Sequence, residues 1–130
     1  MYNYRENFTR VFPIILVALF LCACAAKTFT ESTYDTISTS NEAVHRTMTY
    51  MGKQYRKDNL DDSQKEKIIS IYEKYRATSD AAAHALATYA ETDDQDDREK
   101  LLSIISDVVE YRDKLITLVN VFLDNDGGSK

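Results

Sequence analysis

The stretch LLSIISDVVEYRDKLITLVNVFL, residues 101–123, decides the fold of this chain. Its apolar side chains recur at steps of three and four residues, which is the spacing of one face of an α-helix. One apolar stripe comprises Leu101, Ile104, Val108, Tyr111, Leu115, Leu118 and Phe122; a second, interrupted by Arg112, comprises Leu102, Ile105, Val109, Ile116, Val119 and Leu123. An apolar surface this wide packs against two neighbours. We therefore predict a helix over about 95–123 at the centre of the fold.

Two preceding segments each carry a single apolar stripe with the same spacing. The first stripe is Tyr34, Ile37, Asn41, Val44, Met48, Met51 and Tyr55, and the second is Ile68, Tyr72, Tyr75, Ser79, Ala82, Leu86 and Tyr89. Gly52 is the only glycine or proline from Ala25 to Asp126, so few residues favour turns inside these segments. The pattern predicts helices over about 32–56 and 61–91, and an all-α protein.

Short turns between helices of similar length favour antiparallel neighbours. The sequence therefore predicts an antiparallel up-down-up three-helix bundle over residues 32–124, in which the first two helices each lay one face on the third. Residues 125–130 are polar and contain two glycines, so we expect a flexible tail there.

Capping signals mark the two turns. Asp61 followed by Gln64 has the spacing of a capping box, in which a side chain at each position bonds the backbone N–H of the other. Thr92 and Gln95 repeat this spacing before the third segment, so we expect a second capping box there.

Two polar residues occupy stripe positions that should meet. If the first two helices are antiparallel around the turn at 57–60, the numbers of paired residues sum to about 120, which sets Asn41 opposite Ser79. The same pairing places Tyr34 near Leu86. We predict a hydrogen bond between Asn41 and Ser79 that fixes the register of the two helices, at some cost in stability.

The N-terminus carries a targeting signal. Residues 11–26 are uncharged and follow Arg5 and Arg10, and these sixteen positions are fewer than the roughly 20 that a membrane-spanning helix needs. A basic segment, an apolar segment and small residues in this order are typical of a cleavable secretory signal. An ordinary secretory signal and an uncleaved anchor are the alternatives to the interpretation that follows.

The end of this signal, Leu21-Cys22-Ala23-Cys24, resembles the lipobox of bacterial lipoproteins. Cys24 matches the modified cysteine better than Cys22, because it follows a small residue and has leucine three positions before it. The resemblance implies that residues 1–23 are a signal peptide, that Cys24 becomes the acylated (palmitate-bearing) N-terminus, and that residues 24–31 form a short tether. It also implies, from Ala25, an outer-membrane lipoprotein facing the periplasm.

Composition argues against several function classes. The chain has a formal net charge of −5, whereas nucleic-acid binding requires basic patches. His45 and His84 lie on different predicted helices without a metal-ligand spacing, so we expect no metal and no other cofactor. Three glycines cannot build a phosphate-binding loop, and no serine has a neighbouring pattern that would activate it. We therefore expect a protein that is not an enzyme.

The remaining prediction is a membrane-anchored envelope lipoprotein that acts as a protein-interaction or scaffold module. Its expected partners are membrane lipid, through acylated Cys24, and an unidentified envelope protein. The chain is expected to be a monomer, or a weak homodimer through the third helix.

Two further resemblances add alternatives. Leu60 to Leu86, with Lys67-Ile68-Ile69 and Tyr75-Arg76-Ala77, is similar to small uncharacterised helical lipoproteins of bacterial and prophage genomes, which implies a surface-exclusion or lysis-accessory role. The lipobox, the helical heptads and the final Lys130 together resemble the major murein lipoprotein family, in which a C-terminal lysine is joined to peptidoglycan. That resemblance implies attachment through Lys130.

Overall fold

The structure, a computed structural model, describes residues 28–126, with side chains up to Asp124. It contains three α-helices, α1 (Phe29–Tyr55), α2 (Asp62–Thr92) and α3 (Gln95–Asp126), and no strand within the described range. The helices pack on one another as a bundle, which confirms the predicted all-α class with three helices. The signal segment, Cys24 and Lys130 lie outside the described residues.

Helix α3 supplies the centre of the core. Leu101, Val108, Leu115 and Val119 are fully buried along it. Helix α3 packs against both other helices, most extensively against α2, while α1 and α2 share the smallest interface. This unequal packing leaves α1 and α2 partly separated, and that separation positions the site described below.

Helix α1 begins at Phe29, earlier than the predicted start near residue 32, so the expected tether over 24–31 is too long. The reason is a capping box formed by Thr28 and Glu31, which was not predicted. The Thr28 hydroxyl accepts from the Glu31 backbone N–H at 3.2 Å, and the Thr28 backbone N–H donates to Glu31 Oε2 at 3.1 Å. Two backbone donors are thereby satisfied at the first turn.

The turn between α1 and α2 follows the prediction. Asp61 Oδ1 accepts from the Gln64 backbone N–H at 2.7 Å, and Gln64 Oε1 accepts from the Asp61 backbone N–H at 2.9 Å. The capping box at Asp61 is therefore confirmed. Leu60 is buried beside it. Asp58 adopts a positive φ of 58°, where a short polar side chain is tolerated better than most.

The turn between α2 and α3 differs from the prediction. Thr92 is the last residue of α2, and Asp93 adopts the left-handed conformation directly after it. Asp94, not Thr92, caps α3: Asp94 Oδ1 accepts from the backbone N–H groups of Asp96 at 2.8 Å and Asp97 at 3.3 Å. The Thr92 hydroxyl instead donates to Asp97 Oδ2 at 2.7 Å. The predicted Thr92–Gln95 capping box is thus wrong, because the residue that caps α3 is Asp94, two positions after Thr92, and Gln95 is the first residue of the helix.

Helix α3 continues through Asp126, so the predicted tail over 125–130 begins too early. Residues 124–126 are polar but contain neither glycine nor proline, and the first glycine, Gly127, follows the last helical residue. A polar composition alone does not end a helix when its apolar face is packed upstream.

The stripe predicted for α1 is confirmed at Ile37 and in the second half of the helix, but it is shifted by one residue at two positions of the first half. Val44 and Met51 are buried as predicted. Tyr34, however, is 64% exposed, and the neighbouring Thr33 and Ser40 are buried instead of Tyr34 and Asn41. The small Thr33 and Ser40 side chains let this half of α1 turn towards α3, which offers the wider apolar surface.

No helix within residues 28–126 has the length and apolar character required to span a bilayer.

Candidate functional site

A polar cleft of about 270 Å³ lies between α1 and α2, where these two helices separate. Helix α1 lines it with Asn41, Val44, His45 and Met48, and α2 lines it with Tyr72, Tyr75, Arg76, Ser79 and Asp80. The cleft therefore combines an apolar wall with hydroxyl, amide and charged groups, a mixture typical of sites that bind a partner by shape and hydrogen bonds.

Asn41 and Ser79, the two polar residues predicted to pair, both line the cleft. Ser79 Oγ donates a hydrogen bond to Asn41 Oδ1 at 2.9 Å. Ser79 is buried, whereas Asn41 is exposed at the mouth of the cleft. The structure thus brings Asn41 and Ser79 together; that their bond fixes the register of the helices stays a prediction.

Tyr75, which the apolar stripe predicts only as a packing residue, is a third member of this polar group. Its hydroxyl donates to the same Asn41 Oδ1 at 2.6 Å, and its side chain is buried. Burial raises the pKa of the Tyr75 phenol above its ordinary value, while the Ser79 hydrogen bond and the positive charge of Arg112 oppose this rise. The sequence does indicate that Tyr75 can join this group, because it lies four residues before Ser79, on the same face of the helix.

Arg112 extends the polar layer to the third helix. Its guanidinium donates to Ser40 Oγ at 3.2 Å and, through Nε, to Asp113 Oδ1 at 2.8 Å. Its side chain is only 25% exposed. Arg112, the residue that interrupts the second apolar stripe on α3, therefore contacts α1. All three helices contribute side chains to one polar layer near the middle of the bundle.

The mouth of the cleft offers groups for a partner. His45 of α1 and Arg76 of α2 both line it, with Asp80 one turn further along α2. The Asn41 carbonyl oxygen is occupied by two donors, whereas its Nδ2 makes no hydrogen bond within the described residues. Because two hydrogen bonds already fix the orientation of the Asn41 side chain, its Nδ2 can donate to a partner with little further loss of conformational entropy, which favours binding.

Metal-binding groups do not gather in this part of the molecule. Among residues 28–126 no cluster of three His, Cys, Asp or Glu side chains is close enough to hold a metal ion. His45 lines the cleft, whereas His84 is exposed on α2 outside it. The two histidines are thus placed differently, although both belong to the exposed surface.

A second, shallower groove lies between α2 and α3. Its apolar floor is formed by Ile71, Leu118 and Val121, and Val121 is 46% exposed. Lys114 at its edge forms an ion pair with Glu110, which raises the pKa of the Lys114 ammonium. This groove contains one part of the apolar α3 surface that the other helices leave uncovered, the surface predicted for a weak homodimer.

Comparison with known proteins found nothing similar: no protein family, no curated protein sequence and no solved structure matches this chain.

Proposed function

We propose that this protein is a lipid-anchored lipoprotein of the bacterial envelope, and that its bundle is a non-catalytic binding module that recognises another envelope protein through the cleft between α1 and α2. The anchor is the acylated Cys24, and the site of action is the periplasmic face of the outer membrane. The single observation that carries the binding function is the polar cleft, with its oriented Asn41 amide.

The packing of the first helical turn supports the anchor. Thr28 caps α1 only four residues after Cys24, so an acylated Cys24 is joined to the folded bundle by a short stretch of chain. Two or more acyl chains, at about 0.8 kcal/mol for each buried methylene, hold a domain stably on a membrane. The proposed arrangement is a compact bundle held near the surface.

The contacts between the helices support an up-down-up orientation. Near the start of α1, Phe29 stacks edge-on against Tyr89, close to the end of α2, with ring centroids 5.2 Å apart. At the opposite end of α1, Lys65 Nζ lies 4.2 Å from the centre of the Tyr55 ring. Both pairs fit antiparallel packing of α1 and α2. We propose the same relation for α2 and α3, because two residues join them.

Metabolic labelling with palmitate tests the anchor. Wild-type protein and the Cys22→Ala variant are expected to take up label and sediment with membranes, whereas the Cys24→Ala variant is expected to do neither. Cys22→Ala is the matched control, since it removes the competing cysteine two positions away. Labelling that survives Cys24→Ala, or that Cys22→Ala abolishes, contradicts the proposal.

Site-specific photo-crosslinking in living cells tests the cleft. Tyr34 lies seven residues before Asn41, on the same face of α1, and Tyr50 lies on the opposite face. Both side chains are exposed, at 64% and 47%. A photoreactive phenylalanine analogue at Tyr34 is expected to capture one discrete envelope protein, whereas the same analogue at Tyr50 is expected not to. Equal capture at both positions, or none at Tyr34, contradicts binding at this cleft.

The position of the α3 C-terminus supports a second candidate function, attachment to peptidoglycan. Lys67, near the start of α2, lies over the ring of Phe122 at 6.0 Å, so α3 ends at the opposite end of the bundle from Thr28. In sequence, Lys130 follows the last residue of α3 by four positions, so attachment through it would hold the end of the bundle away from the proposed anchor. Muramidase digestion and mass spectrometry test this candidate: a C-terminal peptide that always has a free Lys130 contradicts it.

A further inference from the structure

We propose that the bundle stands on the membrane on its acidic end, with the turn 91–97 facing the lipid headgroups and the turn 56–61 directed away from them. This inference rests on the proposed acylation of Cys24. It goes beyond that proposal, because it assigns which surfaces of the protein a partner can reach.

The first helical turn of α1 is fixed to the other two helices. The Phe29 ring contacts Tyr89 of α2, and the Arg98 guanidinium of α3 lies 4.6 Å from the centre of the same ring. The Thr28 capping box closes the helix directly before this contact. Aromatic and cation–π contacts of this kind stabilise packing beyond the burial of apolar area. The start of α1 is therefore part of the folded end and does not lengthen the tether by unwinding.

The reach of the tether is consequently short. Four residue steps separate Cys24 from Thr28, and a fully extended chain covers about 14 Å over that number of steps. Helix α1, with 27 residues, is about 40 Å long. The end of the bundle that contains Thr28 thus stays close to the headgroups, while the other end is free to extend far from them.

The sides of the bundle offer little that would bind a membrane. The large apolar side chains that are exposed among the described residues are Tyr34, Tyr50, Leu102 and Val121, and they are spread over two helices. A helix that lies in the interface needs a continuous apolar face flanked by basic residues. The bilayer also excludes orientations in which the turn 56–61 would enter it. Because no side of the bundle binds the membrane, we expect that turn to be directed away from the lipid.

The charge of the fixed end gives this orientation a measurable signature. Residues 91–97 contain five carboxylates and no basic side chain, and Arg98, which follows them, balances only one of these charges. At physiological salt the screening length is about 8 Å, and at about 0.01 M salt it is near 30 Å, longer than the tether. Anionic headgroups therefore repel the acidic end to the limit of its tether at low salt, and high salt removes this effect.

Energy transfer to a headgroup acceptor tests the proposal. Full-length lipidated protein, purified from membranes, is labelled at Asp96→Cys or Ser63→Cys and reconstituted into phosphatidylcholine vesicles. Both positions are exposed, and they lie at opposite ends of the bundle. Transfer is expected to be several-fold stronger from position 96 than from position 63. Adding phosphatidylglycerol at low salt is expected to reduce transfer from position 96, and high salt is expected to restore it.

Equal transfer from the two positions, or stronger transfer from position 63, overturns the orientation. Transfer from position 96 that does not respond to phosphatidylglycerol shows that the acidic end is not near the headgroups and overturns it as well. Mass spectrometry of the same samples separates this failure from failure of the anchor. If Cys24 carries no acyl group, the proposed anchor and the orientation both fail; if Cys24 is acylated and transfer is equal, only the orientation fails.

Discussion

At the residue scale, the Asn41 carbonyl oxygen is the acceptor on which the polar layer depends. It accepts from the Tyr75 hydroxyl on one side and the Ser79 hydroxyl on the other. Both donors are on buried residues, where an unmade hydrogen bond is costly. Asn41 itself is exposed, so one surface residue satisfies two groups that belong to the core of α2.

Removing this acceptor is expected to destabilise the bundle moderately. Asn41→Ala removes the acceptor that the Tyr75 and Ser79 hydroxyls share, although the hydrogen bond between these two side chains and water in the cleft replace part of the loss. We expect the free energy of unfolding to fall by about 1–2 kcal/mol. Ser38→Ala, an exposed substitution on the same helix, is the control and is expected to change it by less than about 0.5 kcal/mol. Urea denaturation measures both; equal effects would contradict a structural role for Asn41.

The Tyr75 phenol predicts a loss of stability at alkaline pH. Burial raises its pKa in the folded protein, so the unfolded chain releases this proton at a lower pH than the folded chain does. The stabilisation is fully present below about pH 10, the ordinary value, and is lost as the pH rises through the folded value. In Tyr75→Phe the free energy of unfolding is expected to fall less steeply above about pH 10 than in the wild type.

Two other groups also make the free energy of unfolding depend on pH in the alkaline range. The hydrogen bond with Asp93 raises the pKa of Tyr89, and the hydrogen bond with Glu110 raises the pKa of Lys114. Both shifts act in the same direction as that of Tyr75, so some pH dependence remains in the variant. Tyr50→Phe, on the exposed face of α1, is the control and should keep the wild-type slope. A Tyr75→Phe slope identical to that control would contradict the assignment.

At the element scale, short aspartate-rich turns take the place that glycine usually has. Asp58 and Asp93 are the non-glycine residues with positive φ among those described. Asp93 reverses the chain and Asp94 caps α3, so only these two residues join α2 to α3. The identity of the capping residue was not predictable from spacing alone, because several neighbouring side chains could accept the same backbone donors.

Substituting the cap is expected to weaken α3 specifically. Asp94→Ala removes the acceptor for the backbone N–H groups of Asp96 and Asp97, which typically costs about 1 kcal/mol. Asp96→Ala removes the same charge from the same turn but leaves those two bonds in place, so its cost is expected to be less than half as large. Thermal unfolding compares the two variants, and an equal loss would indicate that charge and not capping stabilises the helix start.

At the scale of the whole molecule, the wide apolar surface of α3 determines the fold, and its burial is expected to dominate stability. Leu115 is fully buried, whereas Leu102 is 45% exposed on the same helix. Leu115→Ala removes core contacts and leaves a cavity, which costs about 2–5 kcal/mol. Leu102→Ala is expected to cost less than about 1 kcal/mol. Denaturant midpoints measure both, and similar losses would contradict the central position of α3.

The number and class of the helices were predicted from the sequence more completely than the residues of the candidate site. Steps of three and four residues identified all three helices, because periodic burial is a property of each helix by itself. The one-residue shift in the first half of α1 was missed, since whether Tyr34 or Thr33 faces inwards depends on how α1 divides its contacts between α2 and α3. The Asn41–Ser79 contact was predicted by pairing, whereas Tyr75 and Arg112 joined the layer through packing that no single helix reveals.

Intact-mass analysis of protein purified from membranes tests the central claim, a helical bundle anchored by lipid at Cys24. We expect a chain that begins at Cys24 and carries a diacylglyceryl group on that residue, and we expect this species to be absent from cells that express Cys24→Ala. A chain that retains residues 1–23, begins at another residue, or carries an unmodified Cys24 would contradict it.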